Sequence, residues 1–200
     1  MMVYWSGKTH RYPCPVDDDY WAHAIMPWYT KLAELSKEVA LVGFGLDFEI
    51  YKERIYGMFS YCFCDNCIAR FRQASQVAVP QLATDKRHSW LKSHDHLDAY
   101  HKNWDHVLVS HCRALRAAVD RVNPKLFFWI IPWENNNPFL NAWAKGVTSD
   151  QAPVVLTTES TYGQNYYRHG SGDLAIQANV SFVLKEMAAL RKEGFPYRYA

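Results

Sequence analysis

Three apolar runs limit what this chain can fold into. Leu41-Val42-Gly43-Phe44-Gly45-Leu46, Leu126-Phe127-Phe128-Trp129-Ile130-Ile131 and Pro153-Val154-Val155-Leu156 are short, strongly apolar, and separated by segments with helical periodicity. Such runs read as strands buried on both faces, which is the sequence habit of a parallel sheet. Each opens at its C-terminal end into polar residues: Asp47-Phe48-Glu49, Pro132-Trp133-Glu134-Asn135, and Thr157-Thr158-Glu159. In a parallel sheet that end is where ligands and catalytic groups gather. Side chains alternate along a strand, so Gly43, Gly45, Asp47 and Glu49 share one side.

The segments between the runs supply the helices. Asp17-Asp18-Asp19 offers an N-cap and first-turn acids. Trp21, Ile25, Trp28, Leu32 and Leu35 then recur at helical spacing, with a kink expected at Pro27. A second helix is predicted from about Asp98 to Val122, a short one over Asn141–Lys145, and a last one from Asp173 to Glu193, stopped by Gly194. Residues 73–96 show no clear pattern. With one strand expected near Val3–Gly7 and another beginning at Phe195, the order is that of alternating strands and helices, hence α/β.

Long aromatic loops and strand ends marked by acids favour a barrel over an open doubly wound sheet, as does the lack of a glycine fingerprint after the first strand. A whole (β/α)8 barrel takes roughly 250 residues, so a partial TIM barrel is expected. Residues 1–200 then form a single domain holding strands three to seven, a fragment with strands missing at both ends and inactive alone.

Charge argues against nucleic acid as the main partner. The chain carries 22 basic and 20 acidic residues, net +2, with no long run of either sign, which speaks against nucleic acid. No apolar stretch reaches the roughly 18 residues of a membrane span. Eight Trp and thirteen Tyr include many ordinary core rings, but where they sit on loops they suit sugar faces or other flat ligands, and a carbohydrate partner is expected.

The cysteines are the second constraint. Cys62-Phe63-Cys64-Asp65-Asn66-Cys67 is a C-x-C-x-x-C run, and close spacing lets several thiolates face one point, as tetrahedral zinc demands. Cys14, in the loop after the preceding strand, is the natural fourth ligand. Four protein ligands close the site to substrate, so a structural zinc is expected, with no organic cofactor. Cys112, inside the second long helix, reads as a small buried residue. Clustered thiols lean toward a reducing compartment such as the cytoplasm, which is otherwise left open.

With these pieces in order, the chain resembles the barrel of the family 42 β-galactosidases, in the clan A glycoside hydrolases. The resemblance rests on His10-Arg11-Tyr12-Pro13-Cys14-Pro15, on the strand ending Asp47-Phe48-Glu49-Ile50-Tyr51, and on Tyr61-Cys62-Phe63-Cys64-Asp65-Asn66-Cys67 running into Ile68-Ala69-Arg70-Phe71-Arg72. It covers roughly residues 1–72. The resemblance implies a zinc held by Cys14, Cys62, Cys64 and Cys67, and Glu49 as acid/base. Clan A enzymes carry an Asn before that Glu, where this chain has Phe48. The Asp-x-Glu at a strand end is also similar to the family 18 chitinase signature, although Gly45 stands where that signature has an Asp.

Glycoside hydrolysis needs two carboxyl groups flanking the scissile bond, one of them protonated. Glu49 is the expected acid/base, Asp47 the neighbour that disfavours its ionisation, and Glu159 the partner carboxylate or a hydroxyl acceptor. Trp133, Glu134, Asn135 and Tyr162 are expected to line the sugar pocket. Two alternatives stand beside this: a carbohydrate-binding barrel without catalysis, and a metal-dependent hydrolase using carboxylate and histidine ligands. The histidines at 88, 94, 96, 101, 106 and 111 fit a packed or solvated role better than a ligand set, because the spacing of His101 and His106 faces them apart on a helix.

Overall fold

A computed structural model of the chain describes residues 1–48, 61–131, 137–157 and 173–199. The first described elements are two short strands, β1 (Met2–Val3) and β2 (Thr9–His10), paired antiparallel. Tyr4 N donates to Lys8 O and Gly7 N to Tyr4 O, closing a turn in which Gly7 takes φ +82°. A Cβ at Gly7 would meet the Asp85 backbone at 2.5 Å, so both the positive φ and the close approach require glycine. The strand expected near Val3–Gly7 is therefore not a member of the parallel sheet. The turn reverses the chain after two residues, and β1 pairs with β2 instead.

Next comes one helical stretch in three parts: α1 (Asp18–Tyr20), a π-turn (Trp21–Ile25) and α2 (Met26–Leu35). Asp17 caps it, its carboxylate accepting from Tyr20 N at 3.0 Å. Pro27 brings no N–H, and the widened turn lies directly before it. A π-turn adds one residue to the helical repeat and rotates everything after it. Trp28, expected on the buried stripe, is consequently 63% exposed, while Tyr29 and Ala33 take the inward face.

Four parallel strands follow in sequential order: β3 (Gly43–Asp47), β4 (Phe127–Ile131), β5 (Val154–Leu156) and β6 (Tyr197–Tyr199). The intervening helices are α3 (Asp65–Ser75), α4 (Thr84–Ser93), the long α5 (Leu97–Val122), α6 (Pro138–Val147) and α7 (Asp173–Glu193). Helix α4 falls within the stretch that gave no sequence pattern, since its buried residues are only Arg87 and Leu91. Gly194, at φ +68°, ends α7 where the sequence placed the stop.

The core lies on one face of the sheet. Phe44, Leu46, Phe128, Ile130, Val154 and Leu156 are buried there beneath helices. Tyr29 of α2 packs edge-on to Phe44 at 5.3 Å, and Arg116 of α5 lies over the Phe128 ring at 5.3 Å. The opposite face is open among the described residues: Gly45, Asp47 and Arg198 are exposed and Trp129 is 40% exposed. Burial on both faces, expected from the apolar runs, holds for neither β3 nor β4 within the described chain. The fold is thus α/β with a four-stranded parallel sheet. No described helix is long and apolar enough to cross a membrane.

Candidate metal centre

Four sulfurs converge beside the first turn of α3. Cys64 is the N-cap of that helix, with extended backbone (φ −69°, ψ 170°), and Cys67 lies in its first turn three residues on. Their Sγ atoms are 3.6 Å apart. Cys62 precedes them on an extended segment, where Val3 N donates to its Sγ at 3.4 Å and Phe63 N donates to Val3 O at 2.8 Å. The N-terminal hairpin thus forms a wall of the centre. Cys14 arrives from the loop after β2, its Sγ 3.4 Å from that of Cys67.

All four sulfurs lie within 4.8 Å of one another, and every cysteine is a free thiol. Tetrahedral zinc with Zn–S bonds of about 2.3 Å separates its sulfurs by about 3.8 Å, so the cluster can close around one ion with little movement. This is the one group of three or more potential metal ligands among the described residues, and it contains no histidine.

The electrostatics point the same way. Hydrogen bonding from Cys14 holds the Cys64 thiol far below its usual range. Hydrogen bonding to Cys62 pushes the Cys14 thiol up, and hydrogen bonding to Cys14 pushes Cys67 up. Without a cation the four cannot all ionise, because like charges this close oppose each further proton loss. A divalent ion removes that conflict and binds thiolate outright.

A second ring of residues holds the four cysteines in place. Arg87 of α4 donates to Phe63 O at 2.7 Å and pairs with Asp65, gripping the backbone between Cys62 and Cys67. The hydroxyl of Tyr100, on α5, donates to Cys62 O. On the Cys14 side, Trp21 Nε1 donates to Pro15 O at 2.7 Å, and Asn66 donates to Asp17 at 3.3 Å. Asp18 pairs with Arg70 of α3, and His111 Nε2 lies 3.4 Å from its other oxygen. None of these partners announces itself in the sequence. Arg87 and Tyr100 come from segments remote from the cysteines, and only the helix packing brings them in.

The remaining expected site residues divide in two. Asp47 sits exposed at the C-terminal end of β3, in register with Ile131 of β4. Phe48 points the other way: its ring packs edge-on to Phe139 at 5.2 Å and against Trp143 at 5.7 Å. Its backbone N–H donates to Ile131 O at 2.8 Å, continuing the β3–β4 ladder by one bond. Glu49, Trp133, Glu134, Asn135, Glu159 and Tyr162 lie outside the described residues.

Three of the histidines stack on aromatic rings. His94 stacks on Trp90 at 4.3 Å, His101 on Tyr61 at 3.7 Å and His111 on Trp21 at 5.0 Å. Cys112 is wholly buried against Gly146 of α6, and burial pushes its thiol up. Compared with known proteins, the chain matches no protein-family model, no curated protein and no solved structure.

Proposed function

We propose that Cys14, Cys62, Cys64 and Cys67 hold a structural Zn2+ that clamps the N-terminal loop to α3. The supporting observation is the convergence of four free sulfurs within 4.8 Å. Four thiolates satisfy a tetrahedral ion completely, leaving no position for substrate, so the ion's task is to hold the fold. Elemental analysis tests this: one zinc per chain is expected, and a protein that purifies and refolds without metal would overturn it.

On this clamp we propose a glycoside hydrolase-like barrel in which Glu49 is the acid/base. The reading draws support from Asp47, an exposed carboxylate at the C-terminal end of a parallel strand, with Glu49 two residues on. Glu134 and Glu159 each follow within three residues of the ends of β4 and β5. Strands that run parallel deliver the segments after them to one edge of the sheet. There, a protonated Glu49 would give its proton to the leaving-group oxygen. A second carboxylate, Glu159 among the candidates, would act on the opposite side of the sugar ring. Trp133, Asn135 and Tyr162 would contact the sugar.

Release of reducing ends from oligosaccharides, measured for the protein and for Glu49→Gln, tests the assignment. Loss of about 100-fold or more with fold and zinc content retained is expected. Unchanged hydrolysis in the variant would sink it. The half-exposed Trp129, its Nε1 fixed on Thr157 Oγ1 at 2.8 Å, favours a second reading, sugar binding without catalysis. Saturable sugar binding with no hydrolysis in the unaltered protein would select that reading.

A further inference from the structure

The four cysteines are not equivalent. Cys14, Cys62 and Cys67 are 2%, 0% and 3% exposed, whereas Cys64 keeps part of its surface in solvent. Cys64-Asp65-Asn66-Cys67 is also a C-x-x-C segment opening a helix, with the more accessible cysteine at the N-cap and the buried one in the first turn. That arrangement suits two-step oxidation: the least buried cysteine of the four reacts first, and a fully buried neighbour completes the disulfide. The neighbour is in reach, since the sulfurs need to close from 3.6 Å to about 2.05 Å.

We propose that Cys64 is the oxidation-sensitive ligand of the centre, and that a hydroperoxide joins Cys64 to Cys67 and so dismantles the metal site. The inference rests on the metal-binding reading given above. In the first step the Cys64 thiolate attacks the peroxide oxygen. The O–O bond breaks, Cys64 becomes a sulfenic acid, and the leaving alkoxide or hydroxide takes a proton from water. In the second step the Cys67 thiolate attacks Cys64 Sγ and expels hydroxide. One disulfide forms, with two electrons passed in total to the peroxide. Two thiolates, Cys14 and Cys62, remain as ligands, too few to keep a tetrahedral ion.

Oxidation acts unequally on the two sides of the centre. The segment around Cys62 stays pinned by Val3, Arg87 and Tyr100. The Cys14 loop, by contrast, loses its sulfur link to α3 and keeps there only exposed polar ties, Asp18 to Arg70 and Asn66 to Asp17, besides the Trp21–Pro15 and Met2–Tyr12 bonds, the Asp18–His111 contact and the buried Val16. The expected product is a folded protein with a loosened loop ahead of α1. A thiol reductant and added zinc restore it.

The test uses zinc-loaded protein, hydrogen peroxide, a chromogenic zinc chelator and peptide mass mapping. Zinc content is measured before oxidation, so a protein that never held zinc defeats the metal reading itself. From the loaded protein, release of one zinc with a Cys64–Cys67 disulfide is expected, reversed by dithiothreitol. Iodoacetamide should modify Cys64 about tenfold faster than any other cysteine of the unaltered protein. In Cys67→Ser, dimedone should trap a sulfenic acid at Cys64, whereas Cys112→Ser should behave as the parent. Zinc retained through peroxide treatment overturns the proposal, as does a first disulfide at another pair or uniform alkylation. The alkylation readout needs no variant, so it decides even if Cys67→Ser does not fold.

Discussion

Cys14 and Cys67 stand 53 positions apart in the chain with their sulfurs 3.4 Å apart. Joining them through a metal closes a long loop. By the chain-entropy estimate for a cross-link, a loop of that size removes about 4 kcal/mol of unfolded-state freedom. The loop that is closed contains α1, α2 and β3, while the hairpin lies before it. A clamp here couples the N-terminal segment to the helices that cover the sheet.

Removing one ligand should therefore cost both metal and stability. Cys14→Ser and Cys67→Ser are each expected to lose the bound zinc and lower the melting temperature by more than about 10 °C, since a structural zinc contributes to folding directly. Cys112→Ala, remote from the cluster, should keep full zinc content. Elemental analysis and calorimetry on the three variants check this.

Arg87 is the side chain that most firmly holds the ligand-bearing backbone, bonding Phe63 O and Leu82 O and pairing with Asp65. Arg87→Met keeps most of the stem but leaves the Phe63 carbonyl buried without its donor. A loss of about 2–3 kcal/mol is expected from the orphaned carbonyl. Zinc affinity should fall about tenfold or more through misplacement of Cys62 and Cys64. Urea titration and competition with a chelator measure the two effects separately.

Gly146 lets α6 pack tightly against α5. A Cβ there would lie 2.1 Å from Cys112 Cβ and 3.0 Å from Val109 O. Gly146→Ala should destabilise by about 1–3 kcal/mol through overpacking. Adding Cys112→Gly removes the clashing Cβ and should recover part of that loss beyond what the single changes sum to. A double-mutant cycle by chemical denaturation reads the coupling.

Two half-buried groups beside Tyr61 should give the protein opposed pH dependences. His101 is brought down to about 4, by burial first and then by His88. Its neutral form is favoured in the fold, so its contribution is present above its ordinary value of 6.5 and is lost as pH falls toward 4. Asp105 is pushed up to about 6 by burial, outweighing its hydrogen bond from Tyr61. Its contribution is present below its ordinary 3.8 and is lost as pH rises through about 6.

His101→Phe, which keeps a ring against Tyr61, should soften the loss of stability between pH 7 and 4.5 by on the order of 1 kcal/mol, after allowing for solvent screening. Asp105→Asn should gain a similar amount, on the order of 1 kcal/mol, at pH 7 and nothing at pH 4. Urea unfolding of parent and variants at matched pH checks both signs.

Much of the fold was legible because its signals are local. The strands at Gly43–Asp47 and Phe127–Ile131 and the long helices over Leu97–Val122 and Asp173–Glu193 stand where periodicity and stop residues put them. The cysteine cluster was legible for a related reason. Thiol spacing within Cys62–Cys67 carries its own geometry, and Cys14 followed from its place in the loop order.

What sequence misplaced depended on phase and on distant partners. The π-turn before Pro27 shifted the buried face away from Trp28, and a single Gly7 turned the first strand back on itself. Phe48 illustrates the rule that decides direction. Its neighbour Asp47 faces the open side of the sheet, and one step along the strand reverses the side chain into Phe139 and Trp143. The sequence by itself determined the α/β class, the long elements and the membership of the four-cysteine cluster. Only the tertiary structure decided that Arg87 and Tyr100 grip the backbone of the cysteine cluster, that His101 and Asp105 share Tyr61, and that Cys64 is the least buried of the four cysteines. Those relationships arise from packing between segments far apart in the chain, where no local spacing carries a signal.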